Sequence, residues 1–95
     1  FAFTAAFPYV VAPGGRTPIF GTNPMAFAWP RPGKHPMVFD QASSTMARGE
    51  IMIAARDGHS VPYGAGIDRN GKDTTDPKAI LDGGAQLAFG GLRVR

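Results

Sequence analysis

Ninety-five residues allow one domain, and the absence of cysteine excludes both a disulfide framework and a cysteine-ligated zinc site. A 43% hydrophobic share against 18% charged excludes intrinsic disorder, and no apolar run approaches the ~20 residues of a membrane span. The net charge of +3 is spread over singly placed basic residues, so no patch marks a nucleic-acid partner, and the lack of thiols agrees with a reducing, cytoplasmic compartment.

Residues 1–7, apolar and aromatic, predict a buried strand that Pro8 limits. They mimic the apolar part of a signal peptide but have no initiator Met and no basic start. Both ends of the chain read as cut, which predicts an internal fragment of a longer protein. Tyr9-Val10-Val11 is a short extended piece and Pro13-Gly14-Gly15 a turn. Pro18-Ile19-Phe20 leads to Gly21, where the backbone needs a conformation only glycine reaches cheaply. Met25-Ala26-Phe27-Ala28-Trp29 predicts a second apolar strand, residues 30–34 a loop, and Pro36–Asp40 a third strand ending on a carboxylate.

One helix is predicted over residues 44–56. Ser43 or Ser44 can cap its start, and Ala47, Ile51, Ala54 and Ala55 share one face. Arg56 suits the last turn and Gly58 the stop. Gly49 costs about 1 kcal/mol in a helix interior, so it needs a reason, such as close approach by another backbone or a ligand. Beyond Gly58, residues 62–66 and 68–71 read as turns, with Asn70-Gly71 a hairpin corner. Asp76-Pro77 starts a short helix that Gly83-Gly84 ends.

No Gly-x-Gly-x-x-Gly follows a strand, and neither a P-loop, a His-Glu-x-x-His nor a Gly-x-Ser-x-Gly occurs. His35 and His59 lie in loops beside Pro or Gly and read as surface histidines, with no clustered ligands for a metal. From local chemistry alone, Thr22 and Asn23 stabilise a tight turn, and Asp40 or Ser44 merely caps a helix.

Three segments carry more. Gly21-Thr22-Asn23-Pro24-Met25-Ala26-Phe27, then Val38-Phe39-Asp40-Gln41-Ala42-Ser43-Ser44, then Thr74-Thr75-Asp76-Pro77 leading to Gly83-Gly84 and Gly90-Gly91, stand in a telling order and spacing. In that order they resemble the nucleotide-binding domain of the malate/L-lactate dehydrogenase family of NAD(P)-dependent oxidoreductases, which does not use the Rossmann fold. The resemblance covers residues 9 to 91. It implies an α/β fold with a mostly antiparallel sheet and a few helices, residues 1–95 being part of a single NAD(P)-binding domain truncated at both ends. It implies substrate contacts from Thr22, Arg48 and Gly49, cofactor contacts from Asp40, Gln41 and Ala42, and a relay role for Glu50 beside a histidine supplied from elsewhere. Leu92-Arg93 stands where the family pattern has His/Tyr-Lys, so Arg93 would keep the cofactor-facing charge while Val94 replaces the next glycine.

The implied reaction passes a hydride between NADP or NAD and a small carboxylate, either a 2-oxo/2-hydroxy acid or a cyclic 2-imino acid. Phe20-Gly21-Thr22-Asn23-Pro24-Met25 and the Phe-rich start resemble the imino-acid reductase branch more than the malate branch. The family's Ser-His pair and carboxylate-holding Arg have no counterpart here, and its members form dimers. Two other readings stand beside this one: a catalytically inactive fragment, and a small β-rich binding module whose likeness is accidental.

Overall fold

The computed structural model describes residues 1–90. Its elements in chain order are β1 (Ala2–Phe3), β2 (Val10–Val11), β3 (Pro18–Phe20), β4 (Met25–Arg31), β5 (Lys34–Gln41), α1 (Arg48–Asp57), β6 (Gly66–Ile67), β7 (Asp73–Thr74), α2 (Pro77–Leu81) and β8 (Ala85–Gln86). They form two sheets, ordered β1-β4-β5 and β3-β2-β8-β6-β7. All pairings are antiparallel except β2 with β8, so the α/β, mostly antiparallel fold expected from the sequence is the one found.

The core sits under the second sheet and the two helices. Ile51, Ala54, Val61, Ala65 and Ile80 form one buried cluster, flanked by Met46 and Leu81. Val11, Ile67, Ala85 and Leu87 form the other. Ile51, Ile67 and Ile80 are fully buried, and each contributes about 1.5–3 kcal/mol by leaving water.

The first sheet is different. Alternation along β4 and β5 puts Met25, Phe27 and Trp29 on one face with their cross-strand partners Gln41, Phe39 and Met37. Phe27 and Phe39 stack with centroids 5.1 Å apart. Trp29, Met37 and Val38 remain exposed.

Three sequence expectations are corrected. The N-terminal strand is not buried: β1 spans only Ala2–Phe3 at the edge of its sheet, and Phe1, Phe3 and Phe7 are exposed. Residues 30–34 are not a loop; β4 runs to Arg31 and β5 starts at Lys34, leaving Pro32-Gly33 as a two-residue turn with Gly33 at φ +67°. Pro30 is tolerated because the register shifts between Trp29 and Arg31, so its missing N–H costs no ladder bond.

The helix starts at Arg48, not at residue 44, and Ala47 is an exposed N-cap rather than an inward residue. Residues 43–45 are drawn into strand-like bonding that competes with helix formation. Thr45 N–H donates to Leu87 O at 3.0 Å, and Ser44 bridges Ala88. Ser44 is buried and its Oγ donates to Met46 O at 2.9 Å instead of capping. Ile51 and Ala54 do face inward. Gly58 ends α1 in the left-handed region, and Asp76 caps α2 by accepting from Lys78 N–H at 2.9 Å, both as expected. Asn70-Gly71 lies in the β6–β7 connection.

No helix among the described residues is long and apolar enough to cross a membrane, and no group of three His, Cys, Asp or Glu among them could hold a metal.

Candidate functional site

Two short main-chain bonds bring three distant segments side by side. Ser43 N–H donates to Thr22 O at 2.7 Å, and Phe89 N–H donates to Ser43 O at 2.7 Å. The result is a groove of about 430 Å³ lined by Asn23, Met25, Phe39, Gln41, Ala42, Ser43 and Phe89. Its walls are apolar, from Met25, Phe39 and Phe89. Amides and a hydroxyl from Asn23, Gln41 and Ser43 supply hydrogen-bonding groups. An open apolar cleft with a few convergent polar groups is the usual form of a small-molecule site.

The loop that carries Thr22 is rigid. Gly21 is buried against Ala6, and a Cβ there would strike Ala6 O and Asn23 Oδ1, so no other residue fits without moving backbone. Asn23 Oδ1 accepts from Ala6 N–H at 3.0 Å, and Pro24 O accepts from Thr4 N–H at 3.0 Å. Thr22 is half-buried beside the groove, and its hydroxyl has no hydrogen-bond partner among the described residues.

The sequence-predicted residues fall into separate places. Gln41 and Ala42 line the groove beside the Thr22 loop. Asp40 does not, because consecutive strand residues point to opposite faces. Asp40 is exposed and borders a smaller hollow of about 130 Å³ with Phe3, Thr4 and Pro24. The expectation that Asp40 stands just before a helix start is corrected: residues 42–46 are used in pairing with the Thr22 loop and with residues 86–89, and α1 begins only at Arg48.

Arg48, Gly49 and Glu50 open α1 and do not line the groove. The Arg48 guanidinium carbon lies 3.8 Å from the Tyr9 ring centroid, a cation–π contact. Glu50 Oε2 accepts from Ala47 N–H at 3.3 Å, which satisfies one of the donors a helix start leaves free. A Cβ on Gly49 would meet nothing within 4 Å, so the close approach expected at this glycine is not made by any described residue. Arg93, together with Gly91, lies outside the described residues.

Titration is perturbed at the far end of α1, where the side-chain hydrogen bond to Asp57, opposed by desolvation, raises Arg56 above its ordinary value. Arg56 is remote in sequence from the groove and does not line it.

Sequence reasoning missed three residues of this region. Asn23 was read only as a turn residue, although Asn between Gly-Thr and Pro is a fair signal for left-handed backbone. Phe89 carried no local signal. Gln86 is fully buried in β8, and its Nε2 donates to Met46 O at 2.8 Å, fixing the approach to α1; its Oε1 has no partner among the described residues.

A profile of the malate/L-lactate dehydrogenase family matches residues 1–93. The Δ1-pyrroline-2-carboxylate/Δ1-piperideine-2-carboxylate reductase of Pseudomonas syringae pv. tomato is 57% identical over 82 residues, which cover 86% of this chain and 24% of that protein. The corresponding reductase of Pseudomonas aeruginosa is 53% identical over 90 residues, covering 95% and 27%. Among solved structures, the Δ1-piperideine-2-carboxylate reductase of P. syringae superposes with a TM-score of 0.85 at 52% identity, over 93% of this chain and 26% of that one. Sulfolactate dehydrogenase from Methanocaldococcus jannaschii gives 0.79 at 38% identity, over 92% and 25%.

The two-sheet fold is therefore the non-Rossmann fold of these neighbours. The chain belongs to the malate/L-lactate dehydrogenase family. It spans about a quarter of the length of the curated relatives it matches. The likeness is one of descent, and a β-rich module with an accidental resemblance is ruled out.

Proposed function

We propose that this chain is part of the NAD(P)-binding domain of a larger reductase that acts on a cyclic 2-imino acid. The observation that carries the reading is the convergence of the Thr22 loop, Gln41–Ser43 and Phe89 on one groove. Members of the family are NAD(P)-dependent oxidoreductases. Relatives named as pyrroline- and piperideine-2-carboxylate reductases reach 58% identity, whereas sulfolactate dehydrogenase, which acts on a hydroxy acid by name, stands at 38%; this gap favours the imino acid over a 2-oxo or 2-hydroxy acid.

The residues present fit one end of a dinucleotide. Met25, Phe39 and Phe89 suit a flat ring, and Gln41 and Ser43 suit its amide and the neighbouring ribose. When bound, the nicotinamide supplies the hydride that reduces the substrate carbon next to the carboxylate. The chain's own residues bind and orient. The Thr22 hydroxyl, unpartnered and on a fixed loop, donates to the substrate carboxylate. Arg48, preoriented on Tyr9, offers a two-pronged guanidinium to the same group, and Gly49 leaves room for the approach. Ala42, in the groove, and Arg93 complete the cofactor side, Asp40 meets the dinucleotide only from the opposite face of β5, and Glu50, which already holds Ala47 N–H, serves as a positioning group for an acid from outside the groove. The parent enzyme is a cytoplasmic homodimer in this reading.

The test is a graft in which this chain replaces the matching segment of the P. syringae reductase, assayed by nicotinamide absorbance. Turnover is expected with Δ1-piperideine-2-carboxylate. Thr22→Val should raise the imino-acid KM and Gln41→Ala the nucleotide KM. Turnover confined to pyruvate or oxaloacetate, or both KM values unchanged, overturns the reading.

A further inference from the structure

Asn23 combines two unusual features. It is the non-glycine residue at positive φ among the described residues, at φ 40°, and its side chain ties the loop to the N-terminal segment through Ala6. A non-glycine residue there is strained and persists only where its surroundings over-determine it. Here they do. Ala6 N–H bonds Asn23 Oδ1, Thr4 N–H bonds Pro24 O, and Gly21 is packed against Ala6 O on the other side of Thr22. Thr22 is thus held from both neighbours, and its own carbonyl is held by Ser43 N–H. Its hydroxyl has no hydrogen-bond partner among the described residues.

We infer that Asn23 is a positioning residue, whose left-handed backbone and Oδ1 bond to Ala6 fix the direction in which Thr22 presents its hydroxyl. The inference rests on the reading of Thr22 as a substrate contact. The peptide plane between Thr22 and Asn23 turns with the Asn23 φ. Relaxation to negative φ would rotate that plane, loosen the Ser43 bond and change the direction of the hydroxyl. The N-terminal segment, which also pairs with the groove-lining Met25 through Phe3, thereby becomes part of the site's scaffold. Asparagine suits the position because it tolerates left-handed backbone and carries an acceptor short enough to reach a neighbouring N–H.

Two variants separate the two features in the grafted reductase. Asn23→Ala loses both the acceptor and the tolerance for positive φ. Asn23→Gly loses the acceptor but adopts positive φ freely. For Asn23→Ala, kcat/KM for the imino acid should fall roughly 10–100-fold, the scale of an ångström-sized misplacement, while the nucleotide KM stays within about twofold. Asn23→Gly should recover at least half of that loss on a logarithmic scale. A residue that only stabilises the fold would lower the active fraction for both ligands alike and leave each KM unmoved. Hydrogen exchange at the Ala6 amide supplies a readout besides turnover: protection should drop in both variants. Equal kcat/KM in Asn23→Ala and the parent graft, with Thr22→Val impaired, overturns the inference alone. Unimpaired Thr22→Val removes the reading beneath it, and the inference with it.

Discussion

Ile51 and Ile53 offer a matched pair: the same side chain, two positions apart on α1, one fully buried and one 52% exposed. Replacing Ile by Ala removes three carbons, worth roughly 0.8 kcal/mol each when buried, so Ile51→Ala forfeits about 2.4 kcal/mol of transfer free energy. A cavity term adds to this. Ala54, Val61 and Ala65 are too short to fill the space, whereas Met46, flexible and partly buried, can swing some way in. A loss of about 3–4 kcal/mol follows, within the 2–5 kcal/mol seen for such changes. Ile53→Ala should stay within about 0.5 kcal/mol, since little burial is lost and alanine is the better helix former. Helix propensity is common to both variants and cancels in the comparison. The assay is thermal unfolding of the 95-residue chain followed by far-ultraviolet circular dichroism. At about 4–8 °C per kcal/mol for a chain this size, Ile51→Ala should melt at least ~12 °C lower or not fold. A gap under about 1 kcal/mol between the two variants, or a larger loss at Ile53, would refute the packing derived for α1.

Two further predictions bear on the site. Gly49→Ala should stabilise the isolated chain by up to about 1 kcal/mol, because its Cβ enters open space on a helix; a rise in the imino-acid KM when the same change is made in the graft would show that a ligand or another element uses that space, and destabilisation of the isolated chain would contradict the geometry. The isolated chain should show no turnover with pyruvate, oxaloacetate or a cyclic imino acid, since no residue lining the groove titrates near neutrality, and a missing acid alone costs roughly 10²–10⁴-fold; turnover that disappears in His59→Ala would make His59, which lines a different hollow beside Asp76 and Lys78, the proton donor.

Local chemistry was legible where a single residue decides the outcome. Gly58 stops α1 and Asp76 starts α2 because each position depends on one side chain or its absence. Reading failed where tertiary pairing overrode local preference. Ser43 and Ser44 look like caps, yet their segment pairs with Thr22 and Phe89 instead. Pro30 and Pro32 look like a loop, yet a register shift and a two-residue turn absorb them into one hairpin. Aromatic residues near the start look like core, but the partner surface that would bury them is not among the described residues. For the site, the pattern of three segments named Thr22, Gln41 and Ala42 but gave no local reason for them to stand side by side, because the Thr22–Ser43 main-chain bond that joins them is tertiary. Alternation along β5 separated Asp40 from them, a fact that needed only the strand's register to be known.

The long β4–β5 hairpin has a spectroscopic consequence. Trp29 is the chain's one tryptophan, two-thirds exposed on an aromatic and methionine face across from Met37. Its emission therefore reports on this hairpin and on nothing else. In the chain by itself the indole should emit as a solvated fluorophore and be quenched readily by acrylamide. Whatever layer covers the hairpin in a larger assembly will announce itself as a blue shift and loss of quenching, without any label and without any assay of turnover.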